Sequence, residues 1–164
     1  MTLPTWLFEI LACPLCGAAL PQGGTCARGH RWDLSPAVPD FVGGDVPLGD
    51  AFDRMADMAS RRARDEAERF VGIDQALLEA ARGRTLDLGC GVGRMMGALG
   101  ARAEHLVGVD LSRESLRRAA GAGYVVLRAD GLRLPFRSDS FDAVVSGFGT
   151  FAHLPIADAA REVS

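Results

Sequence analysis

A chain of 164 residues has room for one ordinary domain, or for a small module joined to part of a larger one. Apolar residues make up 48% and charged residues 24%, the balance of a globular chain and not of a disordered one. The formal charge of −3 gives no electrostatic reason to expect nucleic acid, and no apolar run approaches the roughly 20 residues of a membrane span.

Residues 5–11 are predicted as a short helix or turn. Ile10-Leu11-Ala12-Cys13 looks like a lipoprotein cleavage box, but the stretch before it has no Lys or Arg, contains Glu9 and is too short for a signal peptide. The expected location is therefore cytoplasmic, where cysteines serve more often as metal ligands than as disulfides. Cys13-Pro14-Leu15-Cys16 and Cys26-Ala27-Arg28-Gly29-His30 form two close pairs across a glycine-rich stretch. Zinc takes four such ligands converging tetrahedrally, and two tight turns facing each other supply them. Gly17 and Gly29 suit the bends. Residues 1–44 thus read as a small zinc ribbon with Cys13, Cys16, Cys26 and His30 as ligands. A module of this size buries too little core alone, so a structural metal is physically expected. The alternative is four small buried residues that bind nothing.

Pro36, Pro39, Gly43, Gly44, Pro47 and Gly49 mark a linker. Asp50 is a candidate N-cap for a helix reaching residue 70, with Phe52, Met55, Ala59, Ala63, Ala67 and Phe70 as its buried stripe. Arg61, Arg62, Arg64 and Arg69 could meet RNA phosphates, but Asp65, Glu66 and Glu68 interleave with them and a solvated face is expected. A second short helix over 74–81 completes a helical region, 45–82, set to cover a ligand.

From residue 83 on, the pattern is α/β. Residues 84–88 read as a buried strand running into Asp87-Leu88-Gly89-Cys90-Gly91-Val92-Gly93, with a helix beginning near Gly93. Glycine turns sharply and admits a ligand where a Cβ would collide. Residues 105–109 read as the next strand, which delivers Asp110 to the sheet edge, where an acidic side chain accepts ribose hydroxyls. A dinucleotide fingerprint needs glycine three positions after Gly91, and that position is Arg94. Asp87 would repel a pyrophosphate but suits a ligand carrying an ammonium group. S-adenosylmethionine (SAM) has that ammonium, a ribose and no phosphate. Cys90 is expected to be a small packing residue of the cofactor loop and not a nucleophile. Residues 124–129 read as a third strand ending in Asp130-Gly131-Leu132, and 141–145 as a fourth, followed by Ser146-Gly147-Phe148.

This D-x-G-x-G-x-G loop resembles the first motif of class I SAM-dependent methyltransferases, and Leu134-Pro135-Phe136 with Ser140-Phe141-Asp142 is similar to that family's L-P-F and S-F-D stretch. The resemblance implies a Rossmann-like domain. Its cofactor residues would be Asp87, Gly89, Cys90, Gly91, Asp110 and Leu111, then Asp130 on the adenine amino group with Gly131 and Leu132 beside the ring, and Ser146 near the methionine and the acceptor. Ile10-Leu11-Ala12-Cys13-Pro14-Leu15-Cys16 resembles the small zinc-ribbon proteins that partner methyltransferases. The spacing Cys26-x3-His30, with Arg31-Trp32-Asp33 and a ribbon ahead of the α/β domain, resembles bacterial large-subunit rRNA guanine-N1 methyltransferases. The stretch after Asp33 departs from their pattern.

The expected fold is α/β: an N-terminal zinc ribbon plus a truncated class I domain of about four parallel strands over 83–164. Pro155 and residues 156–163 read as a last helix, and Arg161-Glu162-Val163-Ser164 resembles the run-up to the family's fifth strand. Such a truncation leaves an open edge at the fourth strand and uncovered apolar helix faces, so a homo-oligomer or a partner chain is expected over that edge. No residue stands out as a general base, and His153 reads as a capping or packing residue. Three functions follow from these resemblances: an rRNA guanine methylase, a small-molecule methylase, or a non-catalytic zinc-ribbon partner of another methyltransferase. Membrane partners are not expected.

Overall fold

The computed structural model describes residues 3–44, 46–65 and 72–147, with side chains of 62–65 and 72–74 left aside. The predicted last helix, Arg69, and the stretch from Phe148 through His153 lie outside the described residues, as do the side chains of Arg62 and Arg64. The elements are α1 (Thr5–Ile10), α2 (Pro47–Asp65), α3 (Gly72–Ala80), β1 (Arg84–Leu88), α4 (Met96–Gly100), β2 (His105–Asp110), α5 (Arg113–Gly121), β3 (Val126–Arg128) and β4 (Ala143–Val145).

The four strands form one parallel sheet in the order β3-β2-β1-β4. The chain builds outward from β1 through β2 to β3 and then returns to the other side of β1. That reversal opens a crevice at the carboxyl ends of β1 and its neighbours, where α/β sheets bind ligands.

Strand periodicity sorts the side chains onto two faces. On one face Cys90, Met96, Leu116, Ala119 and Val126 cluster, joined by a second group of Leu78, Met95, Leu99 and Val145. Helices α3, α4 and α5 cover this side. On the other face Leu86, Leu88, Val107, Val109, Leu127 and Ala129 meet Leu7, Ile10, Leu11, Cys13, Leu20 and Phe41 in a single cluster. The N-terminal module therefore lies on the sheet. Each fully buried leucine in that seam contributes about 2 kcal/mol of transfer free energy. Backbone bonds lock the contact: Ala12 N–H donates to the Pro135 carbonyl at 2.9 Å and Arg137 N–H to that of Ile10 at 2.9 Å.

On the β3 side Asp40 forms a parallel bridge with Arg128. Phe41 N–H donates to the Arg128 carbonyl (2.8 Å) and Arg128 N–H to that of Pro39 (2.9 Å), so the linker serves as a short edge pairing. Among the described residues no strand pairs with the outer side of β4.

Local boundaries differ in instructive ways. Strands β3 and β4 are three residues each, shorter than their apolar runs, because pairing with β2 and β1 ends first. The helix expected near Gly93 begins at Met96, after turns. The stripe expected on α2 is rotated. Ala56 is buried while Met55 is 47% exposed. Polar contacts set that rotation: Asp57 and Ser60 bind Arg118 of α5, and Asp53 accepts from Ser112 Oγ at 2.6 Å.

Gly93 has φ +84°, and a Cβ there would lie 2.7 Å from the Tyr124 ring. Gly93→Ala is expected to destabilise the chain by about 2–4 kcal/mol, from backbone strain plus overpacking. An unchanged melting temperature would show that Tyr124 yields freely.

Candidate functional site

Two sites are built on this frame. The first lies at the carboxyl ends of the strands. Gly89 and Cys90 N–H both donate to the Val109 carbonyl (2.8 and 3.1 Å), which folds the glycine loop back over β2. Positive φ at Gly89 and Gly91, +78° and +53°, makes that path natural only for glycine. A Cβ on Gly91 would meet nothing within 4 Å, so the backbone there faces open space.

Asp110 ends β2 and ties the loop down. Its Oδ2 accepts from Gly91 N–H (2.8 Å) and its Oδ1 from Ser112 N–H (2.9 Å). Burial raises its pKa despite those bonds. Asp87, on β1 just before the loop, is 3% exposed, and its Oδ2 has no hydrogen-bond partner. Burial first, and the charge of Asp110 second, push its carboxyl up to about 7. An orphaned buried carboxylate oxygen favours a cationic partner. This is the observation by which the residues fit the ammonium end of SAM.

The other predicted residues fall around the same edge. Ser146 Oγ donates to the Leu88 carbonyl at 2.8 Å, bringing the end of β4 beside the loop. Asp130 follows β3 and accepts from Leu132 N–H at 2.9 Å. Gly131 is buried and Leu132 is 37% exposed. Leu111 follows Asp110, its carbonyl held by Arg128 Nε at 2.9 Å. Cys90 points away from the edge: it is buried among Met96, Leu116 and Val126, and its sulfur fills the space where a Cβ on Gly108 would stand. Burial first, with the charges of Asp87 and Asp110, raises its thiol well above the usual value, which leaves it inert as a nucleophile.

The second site is the Cys/His group. The ligand atoms of Cys13, Cys16, Cys26 and His30 all lie within 4.8 Å of one another. Cys16 Sγ and Cys26 Sγ are 3.7 Å apart, and His30 Nδ1 lies 3.4 Å from Cys13 Sγ and 3.5 Å from Cys26 Sγ. A tetrahedral zinc site has sulfur–sulfur edges of about 3.8 Å and sulfur–nitrogen edges of about 3.6 Å, given its usual bond lengths. These three edges match such a site, and the donor set suits the ion. Gly17 and Gly29, at φ +70° and +83°, close the two knuckles by donating to the Cys13 and Cys26 carbonyls at 2.8 and 2.9 Å. Burial pushes the Cys26 thiol up, but the N–H groups of Arg28 and His30, with the other thiols, outweigh it and bring it to about 6. Trp32 Nε1 donates to Cys13 Sγ at 3.4 Å, an outer-shell bond of the kind that orients metal ligands.

Sequence reasoning missed the supports of the cofactor edge. Ser112 caps α5, accepting from Ser115 N–H, and Asp53 reaches from α2 to Ser112 and to Glu114 N–H. The signal was Ser112 itself, a cap residue directly after the Asp110 turn.

Residues 86–164 match the family model described as a methyltransferase domain. The chain is similar to the demethylmenaquinone methyltransferase of Clavibacter sepedonicus, with 42% identity over 84 residues, 48% of this chain and 34% of the relative. A protein of the same name from Deinococcus radiodurans is 32% identical over 129 residues, 74% of this chain and 52% of that one. The chain thus spans about half or less of the length of these curated relatives. The fold is also that of a SAM-dependent methyltransferase crystal structure from Thermotoga maritima, with a TM-score of 0.56 and 24% identity over 71% of this chain and 55% of that one.

Proposed function

We propose that this chain carries a class I SAM-dependent methyltransferase domain and that the protein methylates a small aromatic acceptor, a reading supported by the family match, the shared fold and the similar relatives. The observation that carries the cofactor half of this reading is the buried, unpartnered Asp87 oxygen beside a glycine loop pinned to Asp110. When bound, SAM supplies a methyl group on a sulfonium, open to in-line attack. Asp87 would accept the ammonium, Gly89 and Gly91 let the ligand approach the backbone, and Asp110 accepts the ribose hydroxyls. Leu111 and Leu132 flank the adenine with Gly131, Asp130 accepts its amino group, and Ser146 stands at the methionine end. Because the donor carries the reactive electrophile, these residues act by alignment and exclusion of water. No general base is assigned.

The small-molecule acceptor rests on the names of the relatives. The rRNA guanine reading keeps one specific observation in its favour, the four-ligand group at zinc spacing ahead of the α/β sheet. We take that group as a structural zinc site, with its thiols suited to a reducing, cytoplasmic setting. A homo-oligomer or partner chain over the outer edge of β4 belongs to the same proposal.

Calorimetric titration of SAM into the purified, zinc-loaded chain is expected to give micromolar binding that Asp110→Ala abolishes. No binding by the folded chain would sink the cofactor reading. Labelled methyl transfer to a quinone-type phenol, set against an rRNA transcript at low salt, then separates the acceptors. Transfer to the transcript alone would overturn the small-molecule reading.

A further inference from the structure

We propose that Asp40 and Arg128 form a positioning pair that sets the ribose-binding turn at Asp110 from outside the cofactor edge. This rests on the SAM reading above. Arg128 is only 2% exposed, on the outermost strand of the sheet. A buried guanidinium is expensive unless its donors are matched, and an apolar side chain of similar size would serve packing better. Here the donors go to particular places. Nε donates to the Leu111 carbonyl at 2.9 Å, while Nη1 donates to Asp40 Oδ2 and to the Gly44 carbonyl, both at 2.8 Å.

The Leu111 peptide is the hinge of the turn that presents Asp110. Its flanking bonds are Ser112 N–H to Asp110 Oδ1 and Ala129 N–H to the Asp110 carbonyl, at 2.9 and 3.2 Å. The Arg128 contact holds the Leu111 carbonyl, between the bonds that fix Asp110 and Ser112 on either side. A second observation crowds the same atom. A Cβ on Gly49, in the first turn of α2, would lie 3.1 Å from the Leu111 oxygen and 3.5 Å from Arg128 Nη2. Glycine at 49 lets helix α2 sit against this turn without displacing the Leu111 carbonyl.

Asp40 divides its two oxygens between tasks. Oδ1 accepts from Val42 and Gly43 N–H at 2.9 and 3.2 Å, shaping the linker, and Oδ2 faces Arg128 and Arg113. Arg113 opens α5, directly after the turn, and its Nη2 also donates to the Gly44 carbonyl at 2.9 Å. The linker is thereby joined to both elements that flank the Asp110 turn. Asp40→Asn keeps an acceptor for the two linker bonds and, on the side facing the arginines, removes the charge and replaces the Oδ2 acceptor with an amide NH2.

The test is a double-mutant cycle on SAM affinity, with wild type, Asp40→Asn, Asp110→Asn and the double variant, each with its melting temperature. Asp40→Asn is expected to weaken SAM about 5–10-fold, and the double variant to bind no more weakly than Asp110→Asn alone, because coupled sites are non-additive. Arg128→Lys, which keeps charge but loses the planar fork, is expected to match Asp40→Asn, and it replaces that variant in the cycle should Asp40→Asn fail to fold. A folded Asp40→Asn protein with wild-type affinity overturns the proposal. So do losses that multiply in the double variant, which would mark a general structural effect. Wild-type protein that binds no SAM overturns the cofactor reading, and this inference with it.

Discussion

With zinc held as proposed by Cys13, Cys16, Cys26 and His30, stripping the metal is expected to loosen the parallel sheet as well as the N-terminal module. A structural zinc ion contributes roughly 10 kcal/mol of apparent folding free energy in small ribbons and fingers, comparable with the whole stability of an ordinary domain. The module it holds supplies one entire side of the hydrophobic seam, with Leu7, Ile10, Leu11 and Leu20 against Leu86, Val107 and Leu127. Cys13 belongs to the same seam and follows Ala12, whose N–H holds the Pro135 carbonyl. Chelation, or Cys16→Ser, should therefore lower the melting temperature by well over ten degrees, at the several kcal/mol lost. Hydrogen exchange locates the damage. Amides of β1 and β2 should lose protection together with those of residues 11–31. Unchanged protection in β1 and β2 after complete metal loss would show that the sheet stands without the ribbon.

SAM affinity should climb with pH up to about 7, by as much as tenfold per unit, through the ionisation of Asp87. Burial, and then the charge of Asp110, hold this carboxyl at about 7 when nothing is bound. An ammonium partner favours the ionised form, so binding below that pH expels a proton. Above roughly pH 7.7–8.0 the ligand's own amino group begins to lose its charge, which places the maximum between these values. Stability of the free chain runs the other way. Between the ordinary aspartate pKa of 3.8 and about 7 the folded chain keeps a proton that the unfolded chain has released. Stability therefore falls as pH rises through that window, by at most about 1.4 kcal/mol per unit. Asp110, raised chiefly by burial, adds in the same direction. Asp87→Asn should flatten the affinity profile below pH 7 and weaken binding about 100-fold, the loss of a buried charge–charge contact. Calorimetry in buffers of different ionisation enthalpy counts the proton directly. A pH-independent affinity that persists in Asp87→Asn would remove Asp87 from the ligand site.

Features that depend on a few adjacent residues were legible in the sequence. The glycine loop, Asp110 at the end of β2 and the two cysteine knuckles each follow from residue types at fixed short spacing, and the structure brings Cys13, Cys16, Cys26 and His30 into one group. Features set by distant partners were not legible. Helix α5 shows only Leu116 and a few alanines among arginines, so its apolar stripe is thin, and its clearest mark is the Ser112 cap. The rotation of α2 was misread because Met55 looked like core, whereas Asp53 and Asp57 choose the face that meets α5. Nothing near Asp40 announces Arg128, 88 positions away. Nor does a ribbon motif say which surface it will lie on.

The seam between the ribbon and the sheet also dictates an order of events during synthesis. Glu9 pairs with Arg84, 75 positions later, and Leu11 bridges Phe136, later still. The first forty residues emerge from the ribosome long before the strands that cover them. Until β1, β2 and β3 follow, Leu7, Ile10 and Leu11 present a greasy surface with no partner, and closing such distant contacts is slow. Early capture of the metal would hold the nascent knuckles in shape through that interval, giving the late strands a finished template on which to condense.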